Sequence, residues 1–311
     1  MQAIRAKILR LALLAQNDRL MGRADSPGCP YRFFADFLQS LELHGNIWYH
    51  RSISQNSTKG TDCMKEFLIY LWGQGETPEF ALFTPAHFAP ILAMIAVILL
   101  TRKYAAQIRS WKHEEGIRYF LAFALICSEM AYYWRLVAMP ELGPNPVDNL
   151  PIAVCGWAAI FGSYMVVGKN QKLFDIIYFW LLSGSLFALL TPTPLTYCGP
   201  TRLRYWQFWT EHTFGYIAVF YMIFVHGMRP YPKSIIRSYV SLLILVGIAY
   251  WTNQLIPGAN YLYMARPESA PSVLDILPPN FLLRFLVMFA VITAMYGLAY
   301  LPWYRKDKKA K

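Results

Sequence analysis

The sequence predicts an all-α fold, a polytopic membrane bundle of seven transmembrane helices, and three observations predict it. Of its 311 residues 56% are hydrophobic and only 15% are charged, against roughly 45–50% apolar and about 25% charged in soluble domains. The apolar residues gather into runs close to the roughly 20 residues that cross a hydrocarbon core. The basic surplus of +11 sits between and after those runs. That is the pattern of cytoplasmic loops, not of a nucleic-acid-binding face, so no nucleic-acid partner is expected.

The seven expected spans are 81–101, 117–139, 150–168, 172–191, 207–227, 236–256 and 280–303. The second contains "RYFLAFALICSEMAYYW" and the last "FLLRFLVMFAVITAMYGLAYLPW". Orientation follows from the loops. After the first span come Arg102, Lys103, Arg109, Lys112 and Arg118; Lys169 and Lys172 join the third to the fourth. Arg229, Lys233 and Arg237 join the fifth to the sixth, and the chain ends "YRKDKKAK". The alternate loops carry far fewer cations, so the positive-inside rule predicts a cytoplasmic C-terminus and a first span that starts outside.

Residues 1–63 fit this scheme poorly, because they carry eight Lys and Arg residues. "MQAIRAKILRLALLAQ" is too short and basic to span, and no small-residue cleavage site follows it. It reads as an amphipathic surface helix or as sequence upstream of a true start at Met64, where "MKEFLIYLWGQGETPEF" runs into the first span. The second reading makes residues 64–311 the transmembrane domain and 1–63 an extension outside it.

The five cysteines (29, 63, 127, 155 and 198) form no CxxC pair, so neither a zinc site nor a disulfide framework is expected. The sequence also lacks a phosphate-cradling glycine loop and a metal-ligand cluster, so no cofactor is expected.

Depth is counted at about 1.5 Å per residue. His87 lies near the outer face on the first span, Cys155 about one and a half turns below that face on the third, and His212 at a similar depth on the fifth. The second span brings Glu129 to mid-membrane and Arg135 to the outer half. The loop "NYLYMARPESAPSVLDILPPN" adds Asn260 and Tyr261. Five segments thus deliver polar groups to one outward-facing level, as a pocket requires. Each ionisable group in a bilayer costs roughly 2.5–3.5 kcal/mol on insertion scales, so Glu129, Asp175, Glu211, His212 and Arg284 need partners or a function.

Bland readings compete. A free cysteine often packs as a small apolar residue, and Cys127 reads that way. Asp175 is expected to pair with Lys172 or a loop cation, and Glu129 with Arg135. His87 and His226 read as interfacial. The functional reading joins Cys155, the nucleophile, to His212, which would generate the thiolate. At the outer interface such a pair is placed for acyl ester carbonyls. Glu211 precedes His212, so the two side chains diverge on a helix.

"LPIAVC", "FDIIYFWLLSGSLFALLTPTP", "RYWQFWTEH" and "NYLYMARPESAPSVLDILPPN" together resemble the YwaF-type bacterial integral membrane proteins. More distantly, they resemble the eukaryotic transmembrane protein 164 family. The resemblance covers about Met64 to Trp303. It implies a multi-pass protein of a bacterial plasma membrane. By the eukaryotic relatives, it also implies acyl transfer between phospholipid and lysophospholipid through a cysteine and a histidine. The histidine carries over to His212. The bacterial pattern Leu-Pro-x-His-x-Cys is met by Leu150, Pro151 and Cys155, with Ala153 in place of its histidine, while the eukaryotic cysteine falls where Ile152 stands. The resemblance thus implies Cys155 and His212 as catalytic residues, while the shared outward-facing level makes His87, Glu129, Arg135, Asn260 and Tyr261 candidates to bind the lipid. A lipid hydrolase uses the same chemistry with water as acceptor. The competing class is a transporter or small-molecule-binding membrane protein, although no internal repeat is evident. A retinal photoreceptor is disfavoured because the last span has no lysine.

Overall fold

The computed structural model describes residues 60–73, 75, 77–266 and 273–309. Residues 1–59, nearly all of the expected extension, lie outside the described residues. The chain divides into two units, Met1–Gly75 and Glu76–Lys311. In the first, a helix α1 spans Gly60–Trp72.

In the second unit every apolar run of the sequence is a helix, and no strand occurs among the described residues. They are α2 (Pro85–Lys103), α3 (Ala105–Ser110), α4 (Glu114–Ala138), α5 (Val154–Gly168) and α6 (Gln171–Trp180). A π turn, Leu181–Ser185, leads into α7 (Leu186–Leu190), followed by α8 (Leu203–Phe224), α9 (Pro232–Leu255) and α10 (Phe281–Lys309). Five helical stretches are long and apolar enough to cross a membrane: α2, α4, α6 continuing through α7, α9 and α10. The other two differ for physical reasons. α5 has 15 residues, about 22 Å at 1.5 Å per residue, because Pro151 delays its start. α8 has 22 residues, but Arg204, Gln207, Glu211 and His212 interrupt its apolar sequence.

Burial divides the helices into a centre and a periphery. α8 packs against α2, α4 and α5, while α5 packs against α4 and α6. α9 packs on α6, and α10 against the π turn. The outer helices turn Leu92, Leu99, Phe123, Ile244, Leu255, Leu282 and Leu298 outward, while Glu129, Glu211, His212 and Arg284 are buried. Apolar outside and polar inside is the arrangement a lipid solvent demands.

Arginine caps close one end of the bundle. Arg118 Nη1 donates to the carbonyls of Val166 (3.1 Å) and Val167 (2.7 Å), at the last turn of α5. Arg109 donates to Val225 and Phe224 at the end of α8. These carbonyls have no intrahelical donor, and cations suit a helix C-terminus. Glu114 gathers Arg118, Tyr221 and His226 at the same end. Asp175 is buried on α6; it accepts from Ser234 (2.7 Å) and Gln171 (2.7 Å) and pairs with Arg237, a cation near the start of α9 rather than Lys172 or a loop residue.

Candidate functional site

The opposite end, where α4 finishes and α5 and α8 begin, holds the candidate residues. The segment before α5 is built from side-chain caps. Asn145 Oδ1 accepts from the amides of Val147 and Asp148, and Asn149 Nδ2 donates to Tyr132 Oη at 2.8 Å. Tyr261 Oη accepts from the Leu150 amide (2.9 Å) and donates to the Pro146 carbonyl (2.7 Å). Pro151 cannot donate a backbone hydrogen bond. Ala153 is extended (φ −124°, ψ 136°), and the helix begins at Val154. Cys155 is therefore the second helical residue, in the first turn rather than the second turn counted from Leu150.

Cys155 meets two other elements there. Its Sγ lies 3.3 Å from Ser185 Oγ in the π turn, and His212 on α8 is its neighbour. His212 Nδ1 lies 2.8 Å from the carbonyl oxygen of Phe208. A carbonyl only accepts, so Nδ1 carries the proton and Nε2 is the acceptor of the neutral ring. The imidazole also stacks on the Phe208 ring, with centroids 4.1 Å apart. Tyr216, one turn on from His212, donates to the Leu181 carbonyl at 2.5 Å. In a π turn the extra residue disrupts the regular backbone pairing, so hydroxyls take up its carbonyls. Ser183 does so within the same stretch, donating to Phe179 at 2.7 Å. α8 approaches this turn closely: a Cβ on Gly215 would sit 3.1 Å from Leu181 Cδ2.

A polar lane runs beside this cluster between α4 and α8. Gln207 Nε2 donates to Glu211 Oε2 (2.9 Å) and to the Ser128 carbonyl (2.8 Å), while its Oε1 accepts from Arg204. Glu129 lies close to Tyr133, Glu211, Arg204 and His212. Its carboxyl lies directly on Gly156, where a Cβ would come within 2.3 Å of Oε1. Arg204, Gln207 and Glu211 are spaced i, i+3 and i+7, one face of a helix, so Glu211 and His212 diverge as expected.

The other expected residues are placed as follows. His87 is buried at the start of α2. Its Nδ1 accepts from the Phe83 amide (3.1 Å), and its Nε2 donates to the Leu189 carbonyl (2.8 Å). Both ring nitrogens are thus bound to backbone. Arg135 lies over the Tyr132 ring, 4.7 Å from its centroid. Asn260 Oδ1 accepts from the amides of Ala265 and Arg266, shaping a turn. Tyr261 secures the segment leading to Cys155. Arg284, fully buried, donates from Nε to the Tyr263 carbonyl at 2.7 Å. The Cys198 thiol is buried, and burial pushes its pKa up. Among the described residues no group of three His, Cys, Asp or Glu is arranged to hold a metal ion.

Ser185, Gln207 and Arg204 were absent from the sequence-based set. The signal for Ser185 is "SGS" within an apolar run, since Gly/Ser pairs and π bulges mark helix irregularities.

An uncharacterized protein of Treponema pallidum (strain Nichols) is 28% identical over 157 residues, half of this chain and 63% of that protein. The chain thus matches less than two thirds of that relative's length. No solved structure matches. The TMEM164 family model matches residues 82–299, a range that takes in α2 to α9 whole and every residue of the Cys155 cluster. The chain belongs to the TMEM164 family.

Proposed function

We propose that this is a lipid acyltransferase or lipid hydrolase in which Cys155 is the nucleophile and His212 the general base. One observation carries the reading: the His212 proton is fixed on Nδ1 by the Phe208 carbonyl, which leaves Nε2 to serve the neighbouring thiol. A backbone carbonyl here does what the orienting carboxylate does in a catalytic triad.

The steps balance. Nε2 takes the thiol proton as Sγ adds to the ester carbonyl of a lipid. The charge that develops on the carbonyl oxygen falls near the first-turn amides of α5, which no side chain of Ala153 caps. Collapse expels the lyso-lipid alkoxide, which takes the proton from the imidazolium and leaves a thioester on Cys155. A lysophospholipid hydroxyl or water then gives its proton to Nε2, attacks the thioester and releases the thiol. Ser185 Oγ, as a donor, steadies the sulfur.

We further read the chain as a YwaF-type member with all seven apolar helices spanning a bacterial plasma membrane, the C-terminus cytoplasmic and the Cys155 end outward. Support comes from the helix at each apolar run, the outward apolar faces and the loop charges. Membrane lipids are then its partners. The test is to incubate purified protein with a phospholipid isotopically labelled in one acyl chain, with and without a lysophospholipid acceptor. Release of lysophospholipid, lost in His212→Ala and Cys155→Ala, supports the reading, and the label's destination separates transfer from hydrolysis. Turnover unchanged in both variants contradicts it. Absence of turnover in folded wild-type protein favours a binding or transport role for the buried lane.

A further inference from the structure

We infer that Arg135 and Arg204 form a clamp for the phosphate of a glycerophospholipid headgroup, at the mouth of the lane that leads to Cys155; this rests on the lipid-acyl reading above. Both guanidinium groups lie over one ring, that of Tyr132, at 4.7 and 4.8 Å from its centroid. The ring is locked, because Tyr132 Oη accepts from Asn149 Nδ2 at 2.8 Å. Asn149 belongs to the segment that enters α5. The two cations are close enough to feel each other's charge, a repulsive arrangement that a shared anion relieves.

The neighbours point the same way. Arg202, two residues before Arg204, is neutralised by Glu79 in a bidentate pair, with contacts of 2.7 to 3.0 Å. Arg204 has a neutral amide partner instead, Gln207 Oε1. That amide stands between Arg204 and Glu211, to which Gln207 Nε2 donates. Glu129 faces Arg204 from α4, on the buried side. Arg135 and Arg204 are only half-buried, whereas Gln207, Glu211, Glu129 and His212 are buried. The cations thus stand nearer the surface than the rest of the lane.

Spacing fits the chemistry. Arg204 precedes His212 by eight residues, about 12 Å along α8, and Arg135 follows Glu129 by six, about 9 Å along α4. Glu129 in turn lies on Gly156, beside Cys155. A phosphate at the arginines therefore hangs the glycerol backbone and its esters inward, towards the thiol. Arg rather than Lys suits the role, since its planar fork binds phosphate oxygens in pairs.

Binding separates this proposal from the acyl chemistry when it is measured in a Cys155→Ala background, where no thioester forms. The probes are fluorescent phosphatidylcholine and diacylglycerol with identical acyl chains, in detergent micelles. Arg135→Gln and Arg204→Gln are each expected to weaken phosphatidylcholine binding about tenfold and leave diacylglycerol binding within twofold. Arg204→Lys, which keeps the charge, is expected to give a smaller loss, so the series remains informative if a Gln variant misfolds. Equal weakening of both lipids, or no weakening in variants with wild-type thermal unfolding, overturns the clamp. Inorganic phosphate at millimolar concentration is expected not to displace the phosphatidylcholine; displacement overturns the lipid as the source of the phosphate. Turnover that persists in Cys155→Ala with phosphate discrimination intact would count against the thiol mechanism and leave the clamp standing.

Discussion

Cys155 on α5 and Ser185 on the π turn bring Sγ and Oγ to 3.3 Å, across thirty residues of sequence. A regular helix through residues 181–185 would rotate every later side chain by about 100° per residue shifted. The π turn is therefore what aims Ser185 at the thiol. In Ser185→Ala the sulfur loses this contact. A hydrogen bond to a charged group contributes about 1.5 kcal/mol, so acyl-enzyme formation is expected to slow about tenfold. Rapid-quench kinetics with a thioester-forming substrate checks this, with Cys155→Ala as the blank.

Glu129 and Gly156 set the approach of α4 to α5. A Cβ at 156 would lie 2.3 Å from Glu129 Oε1, one at 162 would meet Leu125 Cδ1 at 3.1 Å, and one at 116 meets nothing within 4 Å. Alanine at the three sites should therefore grade in effect. Gly156→Ala is expected to destabilise by about 1–3 kcal/mol, as overpacking does, and Gly162→Ala by less. Gly116→Ala is expected to be neutral or to stabilise by about 0.5–1 kcal/mol. Thermal unfolding in one detergent orders them.

Tyr261 holds the entry to α5 through a single hydroxyl, which binds Leu150 and Pro146. Tyr261→Phe leaves the ring and removes both bonds. The expected result is a local loss of about 1–2 kcal/mol, read as faster hydrogen exchange at the Leu150 amide, with exchange in α6 unchanged. A uniform rise across the bundle would mean that Tyr261 supports the whole fold rather than this segment.

How far the sequence discloses all this depends on what each feature needs. The helices at 85–103 and 281–309 follow from apolar run length, which a single chain displays. The late start of α5 follows from Pro151, yet the depth of Cys155 counted from Leu150 is off by most of a turn because the extended Ala153 intervenes. His212 stands out as a cation-capable residue in an apolar run, but its Phe208 partner depends only on helical geometry. Arg135 was expected beside Glu129, and it lies over Tyr132 instead, a cross-helix arrangement shared with Arg204. The lane itself required knowing which faces of α4 and α8 meet. Periodicity cannot give that when the apolar residues surround a helix on all sides. Ser185 needed a π turn, which 3.6-residue periodicity cannot reveal.

The cysteines differ in exposure and surroundings, and alkylation separates them. Cys198 is fully buried, and burial pushes its thiol up, so its thiolate is scarcer at any pH below that raised value. Cys155 and Cys127 are half-buried. A small maleimide at neutral pH is expected to leave Cys198 unmodified in the folded protein and to label it after denaturation. Raising the pH should accelerate Cys198 labelling late, after the other sites are complete. Peptide mass spectrometry reads the order, and Cys198 labelled first would contradict the packing described.

The most direct measurement is the intact mass of the protein after incubation with a phospholipid of defined acyl chains, quenched in acid. Wild type is expected to gain the mass of one acyl group on Cys155, removed by neutral hydroxylamine as a thioester must be, with no adduct in Cys155→Ala. The adduct should form at least a hundredfold more slowly in His212→Ala, the usual cost of losing a general base. An adduct that persists in Cys155→Ala, or none in folded wild-type protein that binds the lipid, would contradict a thiol nucleophile at this site.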